Sequence, residues 1–160
     1  MRNRGIPLLL ALVVGCGGSA ADYDRDARTA LDSGDFPKAI QVVEQALGQD
    51  AVKRDAAAAW RLEQIRLEAL ARSGKGSQAK SELDRLAAAY PNQVNAALYR
   101  SLADKAKTAG DTSGAIDVLT AGDQRFPADH ASFVEAIDAL KAAGTLDPEQ
   151  VQRLKALGYL

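Results

Sequence analysis

Apolar side chains recur at helical spacing along almost the whole chain. They fall three or four positions apart, the interval that places side chains on one face of an α-helix. The faces predicted in this way are Phe36, Ala39, Ile40, Val43 and Leu47; Ala79, Leu83, Leu86 and Tyr90; Val94, Leu98, Leu102, Ala106 and Ala109; Ala115, Leu119 and Gly122, with Phe126 just beyond; and Phe133, Ile137 and Leu140. No segment alternates apolar and polar residues over the length of a β-strand. The pattern therefore predicts an all-α protein.

Glycines mark the ends of several predicted helices. Gly34, Gly74 and Gly110 each follow an apolar helical segment, and glycine suits the left-handed conformation that ends many helices. The next helix is predicted to start two or three residues later, and connections this short make neighbouring helices antiparallel. Proline stops and N-cap residues separate the other helices, at Pro91–Asn92, Pro127–Asp129 and Asp147–Pro148. The sequence thus predicts a series of helical hairpins.

The hairpins repeat along the chain. Superposing the three glycines also superposes Ala39, Ala79 and Ala115, each five residues later, with spacings of 40 and 36 residues. Periods of this size with one helix pair per unit indicate an α-solenoid. The segments "SGDFPKAIQVVEQALGQD", "ARSGKGSQAKSELDRLAAAYP" and "TAGDTSGAIDVLTAGDQRFP" resemble the second helix of the tetratricopeptide repeat family. That resemblance implies a right-handed superhelical stack of about three repeats with capping helices.

Some positions depart from the family pattern. Leu86 and Gly122 stand where the second small residue is expected, and Glu63 stands where the first helix has an aromatic residue. Tyr23 and Tyr99 do occupy that aromatic position. The six residues beyond a period of 34 between the first two units predict a longer helix from about Ala51 to Arg72. The pattern also breaks after Gly144 in the fourth unit.

The first residues have the three-part layout of an export signal. Arg2 and Arg4 give a positive end, Ile6 to Val14 are apolar apart from one proline, and small residues follow. Nine helical residues cover about 14 Å, under half of a bilayer core of roughly 30 Å, so this segment is too short to span a membrane. We therefore expect residues 1–15 to be a signal peptide.

The end of that segment resembles the lipobox of bacterial lipoproteins. Val13, Val14, Gly15 and the only cysteine, Cys16, fall where the motif has them, with Val13 in place of the more usual leucine. The resemblance implies that Cys16 is lipidated, that the chain is cut before it, and that residues 16–20 tether the domain. Because Gly17 is not aspartate, it further implies the outer membrane, facing the periplasm. The alternative is a plain signal peptide followed by an incidental cysteine.

Charge and composition narrow the classes of partner. Without Arg2 and Arg4, 18 basic residues remain against 21 acidic ones, with no basic cluster, so nucleic acid is excluded as an expected partner. Alanine supplies 32 of 160 residues, which favours closely packed helices.

We expect the repeats to occupy residues 21–145 and a closing helix to occupy 146–160. In the alternative, Tyr159 and Leu160 form an exposed docking tail.

Catalytic and metal-binding patterns are not found in the sequence. The only histidine, His130, lies at a predicted helix start without a partner motif, which favours a solvated first-turn residue. The acidic segment "DYDRDA" lacks the glycine and glutamate of a calcium loop and is better explained as first-turn acids. A single cysteine supports neither a disulfide nor a cysteine metal cluster. The prediction is therefore a protein that is not an enzyme, with no cofactor and no metal.

Polar residues of the predicted first helices suggest a binding groove. By the family's pattern the concave face carries Arg61, Gln64, Glu68 and Arg72 in the second unit and Arg100, Asp104 and Lys107 in the third. Such a groove would bind a peptide or helix of another envelope protein. The alternative is an ordinary solvated surface with i,i+4 pairs.

These features together predict a membrane-anchored scaffold or assembly factor of the bacterial cell envelope. Two alternatives stay open at this point. One is an envelope receptor for a small ligand or peptide, and the other is a small carboxylate-based enzyme.

The lipid anchor gives the first testable prediction. We expect Cys16→Ser to leave the precursor without lipid and poorly processed, because the thiol is the acceptor of the lipid. Metabolic labelling with a radioactive fatty acid measures this directly. Incorporation of label into the Cys16→Ser protein would show that the lipobox interpretation is wrong.

Overall fold

The computed structural model describes residues 18–144 and 146–160, and in these ranges the chain forms helices and no strands. The predicted all-α class is confirmed. The helices are α1 Ala20–Asp32, α2 Phe36–Leu47, α3 Asp50–Lys53, α4 Ala56–Arg72, α5 Gly76–Ala89, α6 Ala96–Thr108, α7 Thr112–Arg125, a 3₁₀ turn Pro127–Asp129, α8 His130–Ala142 and α9 Pro148–Ala156. None of these helices combines the length and apolar character that crossing a membrane requires. The predicted signal peptide and Cys16 lie outside the described residues.

Three hairpins end their first helix in the same way. Gly34, Gly74 and Gly110 have φ of +79°, +71° and +83°, as their predicted role requires. At the first of them the Gly34 N–H donates to the Leu31 carbonyl and the Asp35 N–H to the Ala30 carbonyl. Equivalent pairs of hydrogen bonds follow α4 and α6. The repeated turn places α2, α5 and α7 antiparallel to α1, α4 and α6.

Capping residues account for two errors of the sequence prediction. The single helix expected from about Ala51 to Arg72 is wrong, because the chain breaks before Ala56 and the Asp55 carboxylate caps α4 at the Ala58 N–H, 2.9 Å away. The expected cap at Asn92 is also wrong. That residue lies in a turn, and the Asn95 side chain accepts the Leu98 N–H at 3.0 Å instead. In both cases a later Asp or Asn takes the N-cap position.

At the start of α1, Ser19 and Asp22 form a reciprocal capping box, so Ser19 and Ala20, which the sequence assigned to the tether, belong to the helix start. Hydrogen bonds from the Ser19 side chain and backbone lower the pKa of Asp22. The acidic start of α1 is therefore used for capping. Asp147 and Gln150 form the same box at the start of α9, where the sequence placed an N-cap.

The core consists of two apolar clusters that meet at α4. One cluster contains residues of α1 to α3 and of α4 as far as Ala69, and the other contains Leu67, Leu70 and Ala71 of α4 with α5 to α9. The small residues predicted to lie where helices cross, Ala39, Ala46, Ala79 and Ala115, are all fully buried. Outside its own hairpin, α2 packs against α4, whereas α5 packs mainly against α7. The two steps from hairpin to hairpin are therefore not equivalent.

Helices α5 and α7 approach each other through glycine. A Cβ atom at Gly76 would lie 2.6 Å from the Gly114 Cα atom, so neither position has room for a side chain. The Asp111 carboxylate lies at this contact and caps both helices. It accepts the Gly114 N–H at 2.8 Å and the Gly76 N–H at 2.7 Å. Lys75 holds the N-cap position of α5 and has no acceptor atom, so Asp111 supplies the missing cap.

The shared cap predicts an unequal effect of two equivalent substitutions. Asp35 and Asp111 follow the hairpin glycine in their units, but Asp35 caps only its own helix, through the Lys38 N–H. We expect Asp35→Ala to cost about 1 kcal/mol of unfolding free energy and Asp111→Ala about 2 to 3 kcal/mol, since two caps are lost. Urea unfolding followed by circular dichroism measures both. Equal losses would contradict the shared cap.

Candidate functional site

The seven predicted groove residues lie on α4 and α6, which pack side by side. Arg61 is on the part of α4 that faces α1, where its Nε lies 3.6 Å from the Asp24 carboxylate. Gln64 is exposed one turn later. Glu68 and Arg72 occupy the last two turns of α4 and point toward α6. The structure therefore separates Arg61 and Gln64 from the other predicted residues.

A cleft of about 320 Å³ lies between the carboxyl-terminal halves of α4 and α6. It is lined by Glu68, Arg72, Asp104, Lys105, Thr108 and Ala109. The Glu68 carboxylate is the centre of its charge network, since Lys105 Nζ lies 3.1 Å away and Arg72 Nη1 3.5 Å away. All three side chains are about one-third exposed. The cleft is thus polar, open to solvent and mixed in charge.

Arg72 is held on a second side. Its guanidinium carbon lies 5.1 Å from the centre of the Phe36 ring, a cation–π contact that joins the end of α4 to the start of α2. Arg72 and Lys105 also lie in the last turns of their helices, where cations are favoured by the helix dipole. The two cations of the cleft are therefore held in place before any partner binds.

A second, smaller pocket of about 100 Å³ adjoins the cleft. Arg100, Asp104 and Lys107 form its polar rim along α6. Its floor is apolar and comes from α6, α7 and α8, with Ala103, Leu119, Ala136, Ala139 and Leu140. Because Asp104 lines both pockets, the predicted residues of α6 link them into one surface.

The sequence prediction missed an ion-pair cluster between α4 and α5. Glu63 is only 4 % exposed, and its carboxylate lies 2.8 Å from Arg66 and 2.6 Å from Arg85. Glu82 completes the cluster at 2.7 Å from both arginines. The only sequence signal was that Glu63 stands at an expected aromatic position. The two arginines compensate the buried negative charge of Glu63. Because Arg85 lies on the next helix, the residue pattern of α4 alone does not reveal this pairing.

That cluster lines a cleft of about 600 Å³ beside α2 and α5, together with Leu47, Val52, Lys53, Ala59 and Tyr90. The cleft follows from the packing of the hairpins. Helix α2 contacts the second hairpin through α4, so the space between α2 and α5 is left open at the surface.

His130 has a partner that the sequence did not predict. It lies in the first turn of α8 with its side chain 62 % exposed, and its Nδ1 is 2.8 Å from the nearly buried carboxylate of Asp123. The Tyr159 hydroxyl donates to the same carboxylate. Burial, followed by this hydrogen bond, raises the pKa of Tyr159 above its ordinary range. Tyr159 is therefore bound to α7, and of the two tail residues only Leu160 is well exposed.

Among residues 18–144 and 146–160, no group of three or more His, Cys, Asp or Glu side chains is placed to bind a metal ion. Comparison with protein-family models, with curated proteins and with solved structures gave no significant match.

The two glutamates of α4 predict contrasting effects on stability. We expect Glu63→Gln to cost about 3 kcal/mol, because it breaks a buried pair of charges. We expect Glu68→Gln to cost less than about 1 kcal/mol, because its pairs are exposed and screened by water. Urea unfolding of the two variants tests this. A similar cost for both would show that the cleft around Glu68 is as essential to the fold as the Glu63 cluster.

Proposed function

We propose that this protein is a membrane-anchored scaffold or assembly factor of the bacterial cell envelope. In this proposal its hairpins form a tetratricopeptide-like, right-handed superhelical stack, and lipid on Cys16 holds the chain at the outer membrane, facing the periplasm. A segment of another envelope protein binds in the cleft between α4 and α6.

The cleft is the observation that carries the proposal. It offers donors from Arg72 and Lys105 and acceptors from Glu68 and Asp104 within a single opening of about 320 Å³. Polar groups of both kinds along a shallow cleft suit a polypeptide, whose backbone offers a donor and an acceptor at almost every residue. The contacts of Arg72 with Phe36 and Glu68 reduce the ordering that binding would require.

The arrangement of the hairpins also supports a repeat architecture. The same glycine turn closes three successive units, and the small residues five positions later are buried in each. The first helices α1, α4 and α6 lie side by side, and the ends of α4 and α6 share the polar residues of the cleft. A series of helices that each contact only their neighbours is the build of repeat proteins.

A receptor for a small ligand is the second candidate. The specific observation in its favour is the cleft of about 600 Å³ beside α2 and α5, a volume typical of small-molecule sites. Its wall combines apolar residues such as Leu47 and Val52 with the charged cluster around Glu63.

Site-specific photo-crosslinking in intact cells tests the first proposal. We expect a photoreactive amino acid at Thr108, on the rim of the cleft, to capture one protein, and we expect this product to be lost in the Arg72→Glu, Lys105→Glu double variant. Thr29 of α1 is a matched control position, because it is also exposed and its hydroxyl also bonds the carbonyl four residues earlier. Equal crosslinking from Thr29 and Thr108, or a product unaffected by the charge reversal, would contradict binding in the cleft.

A further inference from the structure

The pocket between α6, α7 and α8 has an unusual combination of features. Its floor is apolar, and its volume is about 100 Å³. This lining suits a branched aliphatic side chain such as valine or leucine. Small apolar pockets of this kind bind one anchoring side chain of a partner.

The charged side chains on its rim form no ion pairs within the described residues. Arg100 and Lys107 form no ion pair with any residue of 18–144 or 146–160, in contrast to Lys105 and Arg72 in the neighbouring cleft. Arg100 Nε is buried, and no hydrogen-bond partner for it is found in the described part of the chain. Asp104 lies between these cations on α6 and also forms no ion pair there. Two cations on either side of one carboxylate are therefore available to a partner.

The spacing of these charges defines the partner. Arg100 and Lys107 are two helical turns apart, about 10 Å along α6. An extended peptide advances about 3.3 Å per residue and places every second side chain on the same face. Carboxylates four residues apart in such a peptide lie about 13 Å from each other, within reach of the long side chains of Arg100 and Lys107, and an apolar side chain midway between them faces the apolar floor. Asp104, at the centre, accepts a backbone N–H and repels a central carboxylate.

We propose that this pocket binds an extended segment of the pattern acidic–x–aliphatic–x–acidic, with the aliphatic side chain in the pocket and the carboxylates on Arg100 and Lys107. This proposal rests on the scaffold function proposed above and specifies the partner's chemistry. It makes the surface on α6 selective for acidic segments, although the chain as a whole is slightly acidic.

The direct test is binding of a fluorescent heptapeptide, Gly-Glu-Gly-Val-Gly-Glu-Gly with blocked ends, to the full chain purified in mild detergent. We expect saturable binding that weakens with added salt. Arg100→Gln and Lys107→Gln should each weaken it about tenfold, since each removes one charge-assisted contact. Lys38→Gln, which removes an exposed cation from α2, is the matched control and should change nothing.

Two further probes test the pocket itself. A peptide with serine in place of valine should bind about tenfold more weakly, because it loses the apolar contact with the pocket floor. Ala136→Leu should fill the pocket from α8 and abolish binding of the valine peptide, and Ala139→Leu serves the same purpose if the first variant does not fold. Circular dichroism reports the fold of each variant.

Different experimental results would overturn this inference and the proposed function. Equal binding of the glutamate peptide and its glutamine counterpart, or no binding at about 1 mM peptide, would overturn the inference. So would a crosslink at Thr108 that persists unchanged in the Arg100→Gln, Lys107→Gln double variant, and in that case the scaffold function would stand. Peptide binding as expected, without any crosslink at Thr108, would instead remove support from the cleft between α4 and α6.

Discussion

The close approach of α5 and α7 is the constraint on which much of the structure depends. Two glycine backbones meet where these helices begin, and one carboxylate, that of Asp111, caps both helices at once. The contact fixes the second and third hairpins relative to each other, and with them α6, which carries Arg100, Asp104 and Lys107. The surface of α4 and α6 that carries the candidate site is therefore positioned by the contact between α5 and α7, the second helices of the same two hairpins. A side chain at Gly76 or Gly114 would separate these helices and displace the surface built on α6.

The first hairpin is joined to the second by a different contact. Helix α2 lies against α4 and leaves the side toward α5 open, where the Glu63 cluster bridges α4 and α5. Each of the four charged groups there is paired with two opposite charges, which compensates the cost of burying them. The result is a tight contact on one side of α5 and an open cleft on its other side. This asymmetry separates the two candidate sites, because the cleft of about 320 Å³ lies between α4 and α6, whereas the cleft of about 600 Å³ lies beside α2 and α5.

The all-α class, the hairpin turns and the buried alanines could be predicted because each depends on local spacing. Gly34, Gly74 and Gly110 act through their own backbone conformation, which sequence position reveals. The Glu63 cluster, the Asp111 double cap and the His130–Asp123–Tyr159 contact could not be predicted, since they join residues 20 or more positions apart or require the packing of a second helix. Likewise, the groove pattern identified Glu68, Arg72 and Asp104, but Lys105 completes the cleft through a bond from α6 to α4.

The packing of α4 also explains why the sequence of residues 51–72 shows no single apolar face. Leu62, Ile65 and Ala69 belong to one apolar cluster, and Leu67, Leu70 and Ala71 belong to the other, so the helix is buried on two sides. It is therefore the wall shared by two cores. In thermodynamic terms, cooperativity between the two halves of the protein passes through this helix, and the halves unfold as one unit only while α4 remains packed on both sides.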